Sequence, residues 1–149
     1  MRDFDRPLEA SGRADAEAIG KAMCRRGFIP DLTLCSTAVR ARQTLEGVAA
    51  HADTGRVVFL EQLYSQDASG YLAAVQAHGV AGSLLVIGHN PMAEDFAVAL
   101  TGSGDEGARA ILGGGFPTSG LAVIAFDGSL ADAVPGSGRL EAFLTPGDA

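Results

Sequence analysis

The stretch Leu84–Phe96, LLVIGHNPMAEDF, decides how the rest of the chain is read. Leu84 to Ile87 form a continuous apolar run that stops at Gly88. A short apolar run bounded by glycine is the pattern of a strand buried on both faces. Asn90 is a candidate cap for the helix that follows. Pro91 suits a first helical position, because it lacks only an N–H that would be unpaired there. That helix is expected to run to about Leu100, with Thr101-Gly102 as its stop. His89 therefore stands where a strand ends and a helix begins.

A second junction of the same kind lies upstream. Leu32–Cys35 reads as a short strand, Ser36 as a helix N-cap, and the helix continues to about Ala50. Arg40 and Arg42 lie in its first turns. Before it, a helix is expected from about Glu9 to Arg26, ended by Gly27. Its apolar face would hold Ala14, Ala18, Ile19, Ala22 and Met23. Val57–Leu60 is the next strand, and a helix follows from about Ser69 to His78. The segment 102–120 reads as a loop, with a short helix around Ala108 to Leu112. Leu121–Phe126 is a strand. Leu140–Thr145 alternates apolar and polar residues, as a strand at a sheet edge does. Short apolar runs alternating with helices predict an α/β chain, three-layered α/β/α, with a mostly parallel sheet.

Composition narrows the function classes. The 149 residues fit one domain, read as 1–149, with 47% apolar and 19% charged residues. A formal charge of −7 speaks against nonspecific binding to nucleic acid or to an anionic membrane. The polar start MRDFDRPLEASGR does not resemble a signal peptide, and no apolar run approaches a membrane span. The expected location is cytoplasmic. Cys24 and Cys35 fit no zinc pattern and are expected to be reduced.

In a parallel sheet both junctions fall at the carboxyl ends of strands, where ligands of open α/β sheets bind. Both are also helix N-termini, which favour anions. Arg40 and His89 are cations placed at positive helix ends. That arrangement is unfavourable on an empty surface and favourable around a phosphate, which arginine grips with two parallel donors. His51 and His78 lie near helix ends and read as solvated. Ser119, in PTSG, reads as a turn residue.

Other motifs fail on spacing or context. Gly102-Ser-Gly104-Asp-Glu-Gly107 follows a helix rather than a strand, so it lacks the setting of a dinucleotide site. From Cys35, Arg40 leaves four intervening residues and Arg42 six, so neither fits the C-x5-R loop of cysteine phosphatases. No Walker A lysine and no G-x-S-x-G elbow occur.

Taken in order, DFDRPLEASGRADA, PDLTLCSTAVRARQTLE, LLVIGHNP, FPTSGLAVIAF and LEAFLTP resemble the histidine phosphatase superfamily, in particular SixA-type phosphohistidine phosphatases. The resemblance implies a phosphoglycerate-mutase-like fold and removal of a phosphoryl group through a phosphohistidine intermediate on the enzyme. It implies that Arg40 and His89 bind phosphate, with Ser36 and Asn90 beside them. Glu61, directly after the Val57–Leu60 strand, is a weak candidate for the general acid. No metal and no cofactor are implied. The implied partner is a phosphorylated protein carrying phosphohistidine, or a small phosphomonoester.

One departure from the family is large. The family opens with a central strand ending in Arg-His, whose histidine is the nucleophile. No Arg-His pair occurs in these 149 residues. The expectation is a chain lacking that first strand, and so inactive as it stands. The alternatives are a relative that binds phosphate or phosphoprotein without catalysis, and a phosphomonoesterase acting on small metabolites.

Overall fold

The computed structural model describes residues 1–114 and 119–148, so Phe116 to Thr118 of the FPTSG stretch lie outside the described residues. The first half builds a parallel three-stranded sheet. β1 (Leu32–Ser36) lies between β2 (Arg56–Leu60) and β3 (Leu84–Ile87), with Leu34 in register with Val58 and Val86. All five β1 residues are buried, as a central strand covered on both faces requires.

Helices close both faces of this sheet. On one side α1 (Ala10–Arg26) and α2 (Val39–Ala49) pack Ile19, Met23, Leu45 and Val48 against Cys35, Leu85 and Ile87. On the other side α3 (Gln62–Ser65), α4 (Ala68–Ala77) and α5 (Met92–Leu100) bring Leu63, Tyr71, Val75 and Phe96 onto Leu32 and Leu34. This is the expected α/β/α layering. The buried face of α1 uses Ala16 rather than Ala14, which is exposed. Gly27 ends α1 at φ 71, where a glycine carries no Cβ penalty, and its N–H reaches the Cys24 and Met23 carbonyls.

Four expectations about the strands need correction. The strands do not all join one mostly parallel sheet. β4 (Thr101–Gly104), β5 (Leu121–Ala125) and β6 (Gly138–Leu144) form a second sheet of order β4-β6-β5, in which β6 runs parallel to β4 and antiparallel to β5. β6 is thus central, not an edge strand. Its alternating pattern arises because Arg139 and Glu141 face solvent and pair with each other. Residues 101–104, read as a helix stop and loop, pair as β4. Finally, Leu85 and Ile87 of β3 are buried, but Leu84 and Val86 are half-buried against the α3–α5 side.

The two sheets share their cores. Leu144, Leu121 and Ala142 join the α1–α2 cluster, while Ile124 and Phe126 pack on the α3–α5 cluster. Among the described residues, β3 pairs only with β1 and β5 only with β6, so each has one edge free of ladder hydrogen bonds. α6 (Glu106–Gly113) extends the expected short helix, because Asp105 caps it through the Ala108 N–H at 2.8 Å.

Candidate functional site

The two junctions converge as expected, but their local chemistry differs from the caps read in the sequence. Ser36 is the last residue of β1, and α2 begins at Val39 after Ala38. The Ser36 hydroxyl accepts the Ala38 N–H at 3.2 Å, closing a tight turn before the helix instead of capping it. Ala38 has no side-chain acceptor, so the first-turn N–H groups of α2 keep their capacity for an anion. The buried Thr37 hydroxyl in the same turn has no hydrogen-bond partner among the described residues. Asn90 is likewise not the cap. Pro91 takes that position, α5 starts at Met92, and the Asn90–Pro91 peptide is cis.

His89 is held from two sides. Its backbone N–H donates to the Tyr71 hydroxyl at 3.0 Å, and that hydroxyl donates to the Leu63 carbonyl at 2.6 Å. Tyr71 is fully buried. Gly88 is required here, because a Cβ at that position would collide with the Tyr71 ring and hydroxyl. The imidazole Nε2 lies 2.8 Å from the Ser36 hydroxyl, so the cap candidate of one junction is the hydrogen-bond partner of the other's histidine.

A cleft of about 360 Å³ opens over this pair, lined by Asp3, Arg40, Tyr64, His89, Asn90 and Met92. Arg40, two residues past the Ala38 cap, reaches into it with its side chain about one quarter exposed. Its guanidinium already has an anionic partner. Nη1 and Nη2 lie 3.0 and 3.4 Å from the two Asp3 carboxylate oxygens, and Nη1 also donates to the Asp3 carbonyl at 2.9 Å. The Tyr64 hydroxyl donates to the same carboxylate at 3.0 Å. The Tyr64 ring meets His89 edge-on, with centroids 5.4 Å apart, and Phe4 packs edge-on against Tyr64.

These contacts set the charges. Arg40 and Tyr64 hold the Asp3 carboxyl below the usual carboxylate range. The bond to Asp3 pushes the Tyr64 phenol up. Burial, reinforced by the Arg40 charge and opposed by Asp3, lowers the His89 pKa below 6.5. Burial thus favours the neutral form of His89, and Arg40 is charge-paired. Counted on the sequence alone, Arg40 is a bare cation at a helix N-terminus; the fold pairs it with Asp3, and burial moves His89 further toward its neutral form.

The other sequence candidates separate cleanly. Glu61 follows β2 at an exposed position, is not among the cleft-lining residues, and serves α3 through its carbonyl. Arg42 lies over the Phe59 ring at 5.1 Å and donates to the Thr37 carbonyl, outside the cleft. His51 pairs with Glu17 at 3.0 Å, and the His78 ring bonds the Ala74 carbonyl. Burial pushes the Cys35 thiol up to about 12, which makes it a packing residue. Ser119 sits in a turn at φ 62. Among the described residues, no group of three or more His, Cys, Asp or Glu side chains could hold a metal ion. No described helix is long and apolar enough to cross a membrane.

The family profile described as histidine phosphatase superfamily (branch 1) matches residues 2–71, the part carrying Asp3, Ser36, Arg40, Tyr64 and Tyr71. An uncharacterized protein of Mycobacterium tuberculosis is 36% identical over 151 residues, covering 98% of this chain and 92% of its own length. The chain belongs to the histidine phosphatase superfamily. Solved structures of superfamily members extend the likeness through the second half. The candidate phosphohistidine phosphatase SixA of Agrobacterium tumefaciens superposes with a TM-score of 0.80 at 36% identity, over 98% of this chain and 87% of its own. A second candidate SixA, from Nakamurella multipartitia, gives 0.81 at 28% identity, over 98% and 88%. The α/β fold with its parallel sheet is thus that of the SixA-like members of the superfamily.

Proposed function

We propose that the Arg40–His89 cleft binds a phosphoryl group, and that the complete site removes it from phosphohistidine in proteins. The observation that carries this reading is the convergence of Arg40, the Ser36-held imidazole of His89 and the open N-terminus of α2 on one cleft, beyond the carboxyl ends of β1 and β3. Those groups are donors suited to three equatorial phosphoryl oxygens. The SixA likeness supports phosphohistidine as the substrate class.

In this reading a nucleophilic imidazole nitrogen attacks phosphorus. A new N–P bond forms, the substrate's P–N bond breaks, and the departing imidazole takes up a proton. Water then attacks the phosphoenzyme and releases orthophosphate. Arg40 offsets the charge on the equatorial oxygens through both steps. His89 supports an oxygen through the ring nitrogen not engaged with Ser36. Tyr71 and Gly88 fix where that ring stands. Asn90 lines the cleft mouth, and Glu61 contributes no group to the cleft.

In this reading the attacking histidine is not one of the three in this sequence. Of the three histidines, His51 and His78 are bonded elsewhere and only His89 lines the cleft. The proposal places the nucleophile on a further strand that adds to the edges of β3 and β5 left unpaired among the described residues. The free edges and the greater length of the SixA chains support this. Without that strand, the same observation favours a second reading for the chain as it stands: a phosphate-binding module that does not hydrolyse.

Titration of the 149-residue chain with orthophosphate or vanadate tests the cleft. Arg40→Ala is expected to abolish measurable binding. An unchanged affinity would remove Arg40 from the site.

A further inference from the structure

The arginine of the cleft is occupied by a carboxylate of the chain itself. The two Asp3 oxygens face the two Arg40 terminal nitrogens in the fork-to-fork arrangement that a phosphate would also use. Tyr64 supplies a third donor to the same carboxylate. Asp3 thus holds the donors an incoming anion needs.

The carboxylate is built to leave. Its side chain is 58% exposed, and it stands on a 3-10 turn, Asp3–Asp5, that contains no buried residue. The segment is tethered beside the cleft by other contacts: the Phe4 ring against Tyr64, and the Leu8 N–H on the Gln43 side chain at 2.7 Å. Asp3 can rotate away while these remain, and no core contact breaks.

We propose that Asp3 is a displaceable internal anion that competes with phosphate for Arg40. It sets the affinity of the cleft, disfavouring free orthophosphate and yielding to a phosphoryl group delivered with further contacts on a protein substrate. The proposal rests on the reading of Arg40 as a phosphate ligand. It is opposed by a purely structural role, in which Asp3 props the guanidinium in its binding pose. The two roles predict opposite signs. Removing a competitor tightens phosphate binding, whereas removing a prop weakens it.

The test is calorimetric titration of the 149-residue chain with orthophosphate at constant pH and ionic strength. Wild type is compared with Asp3→Asn, Asp3→Ala, Tyr64→Phe and Arg40→Ala. An exposed ion pair of this kind corresponds to a change of about two- to fivefold. Both Asp3 variants are expected to bind phosphate that much more tightly, and Tyr64→Phe to shift less in the same direction. Asp3→Ala guards against an asparagine that still occupies the guanidinium through its amide oxygen. Equal or weaker binding in both Asp3 variants, with binding lost in Arg40→Ala, overturns the competition while leaving the cleft reading intact. Wild-type affinity in Arg40→Ala, or no binding in any of the proteins, overturns the cleft reading and the competition with it.

Discussion

Tyr71→Phe is the sharpest probe of how the fold places His89. The substitution removes one oxygen atom and leaves a ring that still packs edge-on against Phe96, with centroids 5.8 Å apart. That oxygen makes two hydrogen bonds, accepting from the His89 N–H at 3.0 Å and donating to the Leu63 carbonyl at 2.6 Å. Leu63 and Tyr71 are both fully buried, so water does not take over the freed carbonyl. An unsatisfied buried polar group costs about 1–3 kcal/mol. The His89 N–H is only partly buried and adds less, so the total is about 2 kcal/mol. For a chain of this size each kcal/mol moves Tm by about 2–4 °C, which gives a fall of about 4–8 °C. Circular dichroism melts of the two proteins measure it, with urea unfolding at equal m-values confirming that the folded state has changed. The same variant is expected to bind phosphate more weakly, because the backbone of His89 loses its anchor. A Tm within 1 °C of wild type would refute the claim that Tyr71 ties the histidine to the core.

Two further outcomes follow from the charges and from the nucleophile. The His89 ring protons, followed by NMR and assigned with His89→Gln, should titrate with a midpoint below 6.5. Arg40→Ala should raise that midpoint, because the arginine helps depress it. Since the folded value lies below the unfolded one, neutral His89 contributes its full stability above about pH 6.5 and loses it as pH falls through the folded value. A midpoint at or above 6.5 in wild type contradicts this burial argument. The purified 149-residue chain should show no hydrolysis of phosphohistidine or p-nitrophenyl phosphate above background. Burst and turnover kinetics would show instead that another group attacks phosphorus.

The fold was legible wherever local pattern and tertiary context agree. Leu32–Cys35 and Leu84–Ile87 read as strands, the first extending one residue further to Ser36, and the helices after them begin within a few residues of their expected positions. β4 was illegible for a physical reason. Its residues, Thr101-Gly-Ser-Gly104, have little strand propensity, and they pair only because β6 offers them a ladder. Gly104 takes φ 144 there, packed so closely on Leu140 that a Cβ would strike its backbone. Within the cleft, Arg40 and His89 were found from their place at strand ends. Asp3 and Tyr64 were not. Their contact spans 61 residues, and nothing in the local pattern around either announces it. The DFDRP stretch that carries Asp3 was marked by family likeness alone.

The charges in the cleft tie those long-range partners to the proposed function. An arginine at a helix N-terminus and an imidazole at a strand end suggest a strongly positive pocket. In the folded chain burial favours the neutral histidine and the arginine is paired, so the pocket carries little net positive charge. On the proposed reading the attraction for phosphate arises by exchange. In that proposal a phosphoryl group displaces the Asp3 carboxylate from Arg40, and its arrival also favours protonation of His89. Both changes weaken the response to a bare anion that offers charge and nothing else. Neither penalises a phosphoryl group held in the cleft by the protein that bears it, because those additional contacts offset the displacement. If Asp3 competes as proposed, a carboxylate 37 residues upstream of the arginine bears on which phosphates the cleft accepts.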